Sequence, residues 1–182
     1  MSSEIVTFTG RVVDPLRLRP EQVNIRDIAH SLANQCRFTG HVRTFYSVGQ
    51  HSLLCTQLAQ ETRATRAQQF HVLMHDASEA YLSDLARPVK HAAGLGPIYR
   101  EIEDAIQAVI SERYGLTYPF PEYVHKFDNA LLKAEQRDLM PRHRHIDSVL
   151  TYEHPITAWG SGAAERPFLE LFEELSGEAA RR

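Results

Sequence analysis

Two acids and a histidine lie close together at the end of an apolar stretch, where their side chains could bind a metal ion. They are His75, Asp76 and Glu79, and the residues before them include Phe70 and Leu73. On a helix, residues four apart share a face, so His75 and Glu79 would point the same way, with Asp76 about 100° round. A charge beside apolar residues is costly to bury unless it binds something. The triplet therefore predicts half of a metal site.

Further ligands must come from other segments, and His51 and Asp128 lie at suitable helical positions. Ser47 and Gln50 have the spacing of a capping box, which predicts a helix that starts at Ser47 and carries His51 in its first turn. Asp128 lies in a second helical stretch, which Pro121 opens. Two imidazoles and two carboxylates suit Mn, Co, Ni, Fe or Zn better than calcium. Such an ion can activate water and stabilise charge on a phosphate.

The elements that must position these residues are mostly helices. β-branched residues on both sides of Gly10 predict a short hairpin or extended arm over residues 5–13. Helical periodicity then predicts a helix from Ile25, the helix from Ser47, one from Thr65 to Tyr81, a short one at Pro88, one from Pro97 to Gly115, one from Pro121, and a last one over 167–175. We expect an all-α fold in a single domain that spans residues 1–182.

Composition excludes some classes of function. The 182 residues carry a formal net charge of −3, which argues against a protein that neutralises a nucleic-acid backbone. No apolar run approaches the roughly 18 residues of a membrane span, and the N-terminus lacks the order of a signal peptide. We therefore expect a cytoplasmic protein with no membrane or nucleic-acid partner. Cys36 and Cys55 are expected to be buried thiols.

Four motifs, taken in order along the chain, resemble the HD-domain phosphohydrolases, and among them the YfbR-like 5′-deoxynucleotidases. The resemblance covers roughly residues 25–140. The motifs are Gln50-His51-Ser52, His75-Asp76-Ala77-Ser78-Glu79, Asp84-Leu85 with Pro88-Val89-Lys90, and Lys126-Phe127-Asp128-Asn129-Ala130. The fold that this resemblance implies is a single HD-domain helical bundle.

The resemblance also implies roles for individual residues. The metal ligands would be His51, His75, Asp76 and Asp128. They would hold one divalent transition metal ion (Mn, Co, Zn, Fe or Ni), and a second Mg or Mn ion could enter with the substrate. Glu79 would handle the proton or orient the attacking water, and Asp84 would be a further active-site carboxylate.

Substrate contacts are expected from the same motifs. Arg37 and Phe38 occupy the place of an Arg-Trp pair that lines the nucleotide pocket in the family; phenylalanine can still stack on a base or sugar. Five cations lie in or near the motifs, and we expect Arg37 and Lys90 to bind the phosphate. Arg43, Arg87 and Lys126 are weaker candidates. His41, in the loop that leads to His51, is a further candidate contact.

Three functions remain open at this point. The first is 5′-deoxynucleotidase activity on deoxynucleoside monophosphates. The second is removal of triphosphate from a deoxynucleoside triphosphate, as in the compact phage DatZ-type enzymes that act on dATP. The third is a non-catalytic HD domain that binds nucleotides. The family also implies a homo-oligomer. Outside the motifs, we expect His71 to be a structural histidine and His143, His145 and His154 to lie at the surface.

Overall fold

The computed structural model describes residues 3–141 and 148–177. In these ranges the chain forms one two-stranded sheet, eight α-helices and three short 3-10 turns. The elements are β1 (Ile5–Val6), β2 (Val12–Val13), α1 (Ile25–Asn34), α2 (Val48–Glu61), α3 (Arg66–Leu73), α4 (Glu79–Leu82), α5 (Arg87–Lys90), α6 (Leu95–Tyr114), α7 (Glu122–Asp138) and α8 (Glu165–Ser176), with 3-10 turns at Pro15–Arg17, Pro20–Gln22 and Phe38–Gly40. The predicted all-α fold with an N-terminal hairpin is confirmed.

The N-terminal hairpin is tied to the helices by one buried carboxylate. Strands β1 and β2 are antiparallel, with Val6 opposite Val12. Asp27 on α1 accepts hydrogen bonds from the backbone N–H and the hydroxyl of Thr9, at 2.7 and 3.0 Å. A two-stranded hairpin is marginal alone, so this attachment accounts for its fixed position.

Helix α2 runs through the centre of the bundle and packs against α1, α3, α7 and α8. It begins as predicted, because the Ser47 side chain accepts from the N–H of Gln50 at 3.0 Å. At Gly49 an added Cβ would lie 3.2 Å from both the backbone N of Ala33 and the Cβ of Ala164. Glycine at this position therefore lets α1 and α8 approach closely.

Two groups of apolar side chains form the core around this helix. One joins α1, α3, α6 and α8 and includes Ile28, Leu73, Ile110 and Phe168. The other lies between α2 and α7. The predicted metal ligands lie near the boundary between these two groups. Packed helices on both sides hold them there.

The single helix predicted over residues 65–81 is wrong. Helix α3 ends at Leu73, residues 74–78 form a turn, and α4 starts at Glu79. The break is stabilised by Gln107 of α6, which donates to the C=O of Met74 at 3.1 Å and accepts from the N–H of Ser78 at 3.0 Å. The C=O of Met74 also accepts from the N–H of Ala77 at 3.1 Å, so these backbone groups stay hydrogen-bonded at the break. His75 and Asp76 thus lie in a turn, and the argument from a shared helical face does not hold for His75 and Glu79.

No helix in the described ranges is long and apolar enough to cross a membrane.

Candidate metal centre and its cleft

Two imidazoles face each other at the centre of the molecule. The Nε2 atoms of His51 on α2 and His75 in the 74–78 turn lie 3.3 Å apart. Each ring uses its Nδ1 elsewhere: His75 donates to the C=O of Val72 at 2.7 Å, and His51 bonds to the carboxylate of Glu135 at 2.6 Å. With Nδ1–H as the donor, each Nε2 carries a lone pair. Two lone pairs this close together favour a cation that both nitrogens can bind.

Two carboxylates complete this group. Asp76 places Oδ2 at 3.6 Å from Nε2 of His51 and 3.3 Å from Nε2 of His75. Asp128 on α7 places Oδ1 at 3.4 Å from Nε2 of His51. Ligand atoms about 2.0–2.2 Å from one ion lie about 3.0–3.5 Å from each other, so the observed spacing fits a single ion. The structure thus brings the four predicted ligands together around Nε2 of His51, where they could hold a metal ion.

Charge in this group favours ionised carboxylates. Burial would raise the pKa of Asp76, but His75, His51 and Arg37 bring it below the usual value. Burial likewise opposes ionisation of Asp128, and the imidazoles with Arg87 lower its pKa far below the usual value. Burial and Arg37 disfavour protonation of His51, yet Cys55, Glu135 and Asp128 hold its pKa well above the usual value. The cluster therefore attracts positive charge.

Cys55 lies one turn after His51 and belongs to the same group. Ligand atoms of His51, Cys55 and His75 all lie within 4.8 Å of one another, so these three side chains could also hold a metal ion. However, Sγ lies 3.5 Å from Nε2 and 3.9 Å from Nδ1 of His51, which puts it beside the ring and out of line with the Nε2 lone pair. Burial raises the pKa of this thiol to about 11, against the effect of His51. The two carboxylates are therefore the better ligands.

A second carboxylate on α7 was not predicted. Glu135 is fully buried and bonds both to His51 and to Arg37, the latter at 3.3 Å. Burial would raise its pKa, but Arg37 and His51 hold it below the usual value. A signal was present in the sequence, because Glu135 follows Asp128 by two helical turns and so shares its face.

A cleft of about 780 Å³ opens beside the centre. Eight of the ten predicted site residues line it: Arg37, Phe38, His41, Asp76, Glu79, Asp84, Lys90 and Asp128. The other two, His51 and His75, lie behind Asp76 and Asp128. Apolar side chains form part of the wall, among them Leu85, Leu132 and Met140. The cleft combines charged and apolar surface, as small-molecule sites do.

Glu79 and Lys90 form a buried ion pair in this cleft. Lys90 Nζ lies 3.1 Å from Oε1 of Glu79 and 2.7 Å from Oε1 of Glu103 on α6, a residue that was not predicted. In the described parts of the chain, Oε2 of Glu79 has no hydrogen-bond partner. Burial raises the pKa of Glu79 well above the usual value, and the charges of Asp76 and Asp84 add to this effect. Glu79 is therefore protonated more readily than an ordinary glutamate.

Two arginines reach the ligand carboxylates from opposite sides. Arg37 follows α1 and is held by its N–H bond to the C=O of Tyr46 at 2.9 Å; its guanidinium lies 3.4 Å from Oδ2 of Asp76. The next residue, Phe38, has φ of +56° and lies 5.6 Å from that guanidinium. A left-handed backbone costs an L-residue about 1–2 kcal/mol, so the surrounding contacts must offset this strain to keep Phe38 in place. Arg87 of α5 lies 2.7 Å from Oδ2 of Asp128.

The remaining sequence candidates that the structure describes lie away from the cleft. His71 is a structural histidine, as expected: it accepts from the N–H of Thr117 at 3.0 Å and bonds to the hydroxyl of Tyr123 at 2.6 Å. His154 is exposed and pairs with Glu61 at 3.1 Å, in agreement with a surface position. His143 and His145 lie outside the described residues. Arg43 and Lys126 do not line the cleft.

Comparison with known proteins gives relatives but no activity. No family model matches the chain. The Escherichia coli K12 protein YfdR is 43% identical over 137 residues, which are 75% of this chain and 72% of YfdR. The Rhodobacter capsulatus protein RCAP_rcc00048 is 37% identical over 118 residues, 63% of this chain and 59% of that protein. Both are named as uncharacterized proteins. At this identity and coverage, the chain belongs to the family of YfdR.

Proposed function

We propose that this chain is a metal-dependent phosphohydrolase of the HD type, which removes the phosphate of a deoxynucleoside monophosphate. One observation carries the proposal: Nε2 of His51 lies 3.3–3.6 Å from a ligand atom of each of His75, Asp76 and Asp128, beside a cleft that also contains a buried carboxylate and three cations. The resemblance of the motifs to the YfbR-like group supports the same assignment.

The centre would hold one divalent transition metal ion through His51, His75, Asp76 and Asp128. When bound, such an ion acidifies water and stabilises the negative charge that develops on phosphorus. The mixed nitrogen and oxygen donors suit Mn, Co, Zn, Fe or Ni. The protein contributes by fixing the ligands on α2, the 74–78 turn and α7, each of which packs in the core.

Glu79 would accept a proton from the attacking water and return it to the leaving oxygen. Burial and the nearby carboxylates of Asp76 and Asp84 raise its pKa above that of an ordinary glutamate, which favours uptake of a proton. Lys90 binds Oε1, and Oε2 is buried without a hydrogen-bond partner in the described residues, so the proposal assigns the proton transfer to Oε2. Asp84 lies in the same cleft, where its charge contributes to the raised pKa of Glu79.

The charges of the cleft favour a substrate with one phosphate. Arg37, Arg87 and Lys90 each already contact at least one carboxylate. These carboxylates largely neutralise the three cations. The charge of the bound metal ion would therefore be the main attraction for an anionic substrate. A monophosphate needs less compensation than a triphosphate. Phe38 and the apolar wall are suited to the base or sugar.

The test is an assay of the metal-free protein after Mn, Co, Zn or Mg is restored separately. Each deoxynucleoside mono- and triphosphate is supplied, and the released species is identified. Free phosphate from monophosphates supports the proposal, whereas triphosphate from dATP would support the alternative substrate. Absence of turnover with every metal and nucleotide would contradict the enzymatic assignment and leave a nucleotide-binding domain.

Glu79→Gln separates catalysis from metal binding. We expect the variant to retain its ion and to lose about 10²–10⁴-fold in kcat, the usual contribution of a general acid–base group. Glu122→Gln is a matched control, because Glu122 is an exposed glutamate that pairs with Lys126 outside the cleft. Equal activity of both variants would exclude Glu79 as the proton handler.

A further inference from the structure

Glu135 has each of its oxygens committed to a different functional side chain. Oε1 lies 2.6 Å from Nδ1 of His51, and Oε2 lies 3.3 Å from the guanidinium of Arg37. The side chain is fully buried and does not line the cleft. It therefore cannot touch a substrate, and any part it plays must act through His51 and Arg37.

Both partners of Glu135 extend to the candidate centre, so the four side chains form a closed ring. The second nitrogen of His51 lies 3.6 Å from Oδ2 of Asp76, and the other arm of Arg37 lies 3.4 Å from the same oxygen. Displacement of one member would shift its neighbours on both sides. Glu135 therefore hydrogen-bonds both to a proposed metal ligand and to the arginine that is expected to bind phosphate.

Helix α7 supplies two members of the site from one face. Asp128 and Glu135 are seven residues apart, or two turns, and both reach His51. One rigid element therefore provides a ligand and also fixes the ring orientation of a second ligand on α2. Carboxylates that bond to the distal nitrogen of a metal-binding histidine tune its affinity for the ion.

We propose that Glu135 is a positioning residue that couples metal binding to anion binding, because it holds His51 toward the ion and Arg37 toward the substrate phosphate. The inference rests on the proposed metal centre. It predicts that loss of this one carboxylate weakens the binding of two different ligands, although neither ligand contacts it.

Glu135→Gln, which preserves the shape of the side chain, tests this coupling. Cobalt(II) is titrated into the metal-free protein and followed by its visible absorption, and inorganic phosphate is then titrated into the cobalt-saturated protein. We expect cobalt affinity to fall 10–100-fold, the usual effect of losing such a partner. Phosphate affinity should fall about tenfold, as for a lost hydrogen bond to a charged group. Asp138→Asn is the control, since Asp138 also lies on α7 and pairs with Arg137 outside the cleft; it should leave both affinities unchanged.

A double variant distinguishes positioning from simple neutralisation of a buried arginine. If Glu135 served only as the counter-ion of Arg37, then Arg37→Met with Glu135→Gln would bind cobalt as tightly as Arg37→Met alone. The proposal predicts that the double variant binds cobalt at least about tenfold more weakly than Arg37→Met, because His51 still lacks its carboxylate partner. Equal affinities would overturn the proposal.

The outcomes separate this inference from the proposed function. Cobalt binding by the wild type that is unchanged in Glu135→Gln would overturn the inference alone, whereas a wild type that binds no cobalt would overturn both. If Glu135→Gln does not fold, Glu135→Asp replaces it, because the charge is kept and the carboxylate is withdrawn by one methylene. Weakened cobalt binding with an unchanged circular dichroism spectrum would then support positioning, and wild-type affinity would overturn it.

Discussion

Buried histidines occur in two regions of this molecule, and they differ in what the second ring nitrogen faces. His71 has both nitrogens satisfied within the protein, by the N–H of Thr117 and by the hydroxyl of Tyr123. His51 and His75 use Nδ1 in the same way, but their Nε2 atoms point at one another and at carboxylates. Burial alone therefore does not distinguish a structural histidine from a ligand. What distinguishes His51 and His75 from His71 is that the second ring nitrogen of each faces another imidazole and a carboxylate.

The largest expected effect comes from exchanging the two kinds of histidine for alanine. His75→Ala removes a proposed ligand and should weaken cobalt binding by at least about a hundredfold, more than the loss of an outer partner. His71→Ala should leave cobalt binding unchanged and lower the free energy of unfolding by about 1–3 kcal/mol, because it orphans the Thr117 N–H. Cobalt titration and urea unfolding measure the two quantities. The distinction fails if His71→Ala weakens cobalt binding as much as His75→Ala does.

Substitution of Gln107 should have a smaller effect on cobalt binding, because Gln107 acts on His75 only through the turn. It bridges the break that presents His75 and Asp76. Gln107→Leu should lower the free energy of unfolding by about 1–3 kcal/mol and also weaken cobalt binding, since the turn loses both of its bonds to α6. Gln107→Glu keeps an acceptor for the Ser78 N–H, so this variant should give intermediate values in the same urea and cobalt titrations. Unchanged cobalt affinity in both variants would show that the turn holds its shape without this bridge.

The smallest effect is a pH dependence of stability that arises from His71. Burial lowers the pKa of His71 below the usual value. As the pH falls below about 6.5, the unfolded chain binds a proton that the folded protein resists, so stability is lost from there down through the folded pKa. The stability difference between wild type and His71→Gln should therefore shrink between about pH 8 and pH 5 in urea unfolding. A constant difference would mean that His71 is not held neutral by the fold.

Local sequence patterns predicted most helices and named the four candidate ligands, whereas the assignment of all four as one ligand set came from the resemblance of the motifs to a known family. The helix starts followed from caps and prolines, as at Ser47, and these signals lie within a few residues of the element they set. The break at residues 74–78 depends on Gln107, which bonds to it from about thirty residues away. No local periodicity encodes such a bond. Glu135 was not predicted although it shares a helical face with Asp128, because a glutamate in a helix is usually solvated and its partners are distant in sequence.

The partners on α2 and α7 are far apart along the chain, and this separation affects the order of folding and metal binding during synthesis. His51 and Glu135 are 84 residues apart, and Arg37 and Glu135 are 98 apart. Such contacts close long loops and form late in folding, after the local helices. During synthesis, a nascent chain that ends before α7 has both imidazoles and Asp76 but lacks Asp128 and the carboxylate that orients His51. Acquisition of an ion would then follow tertiary folding and would stabilise only the finished domain.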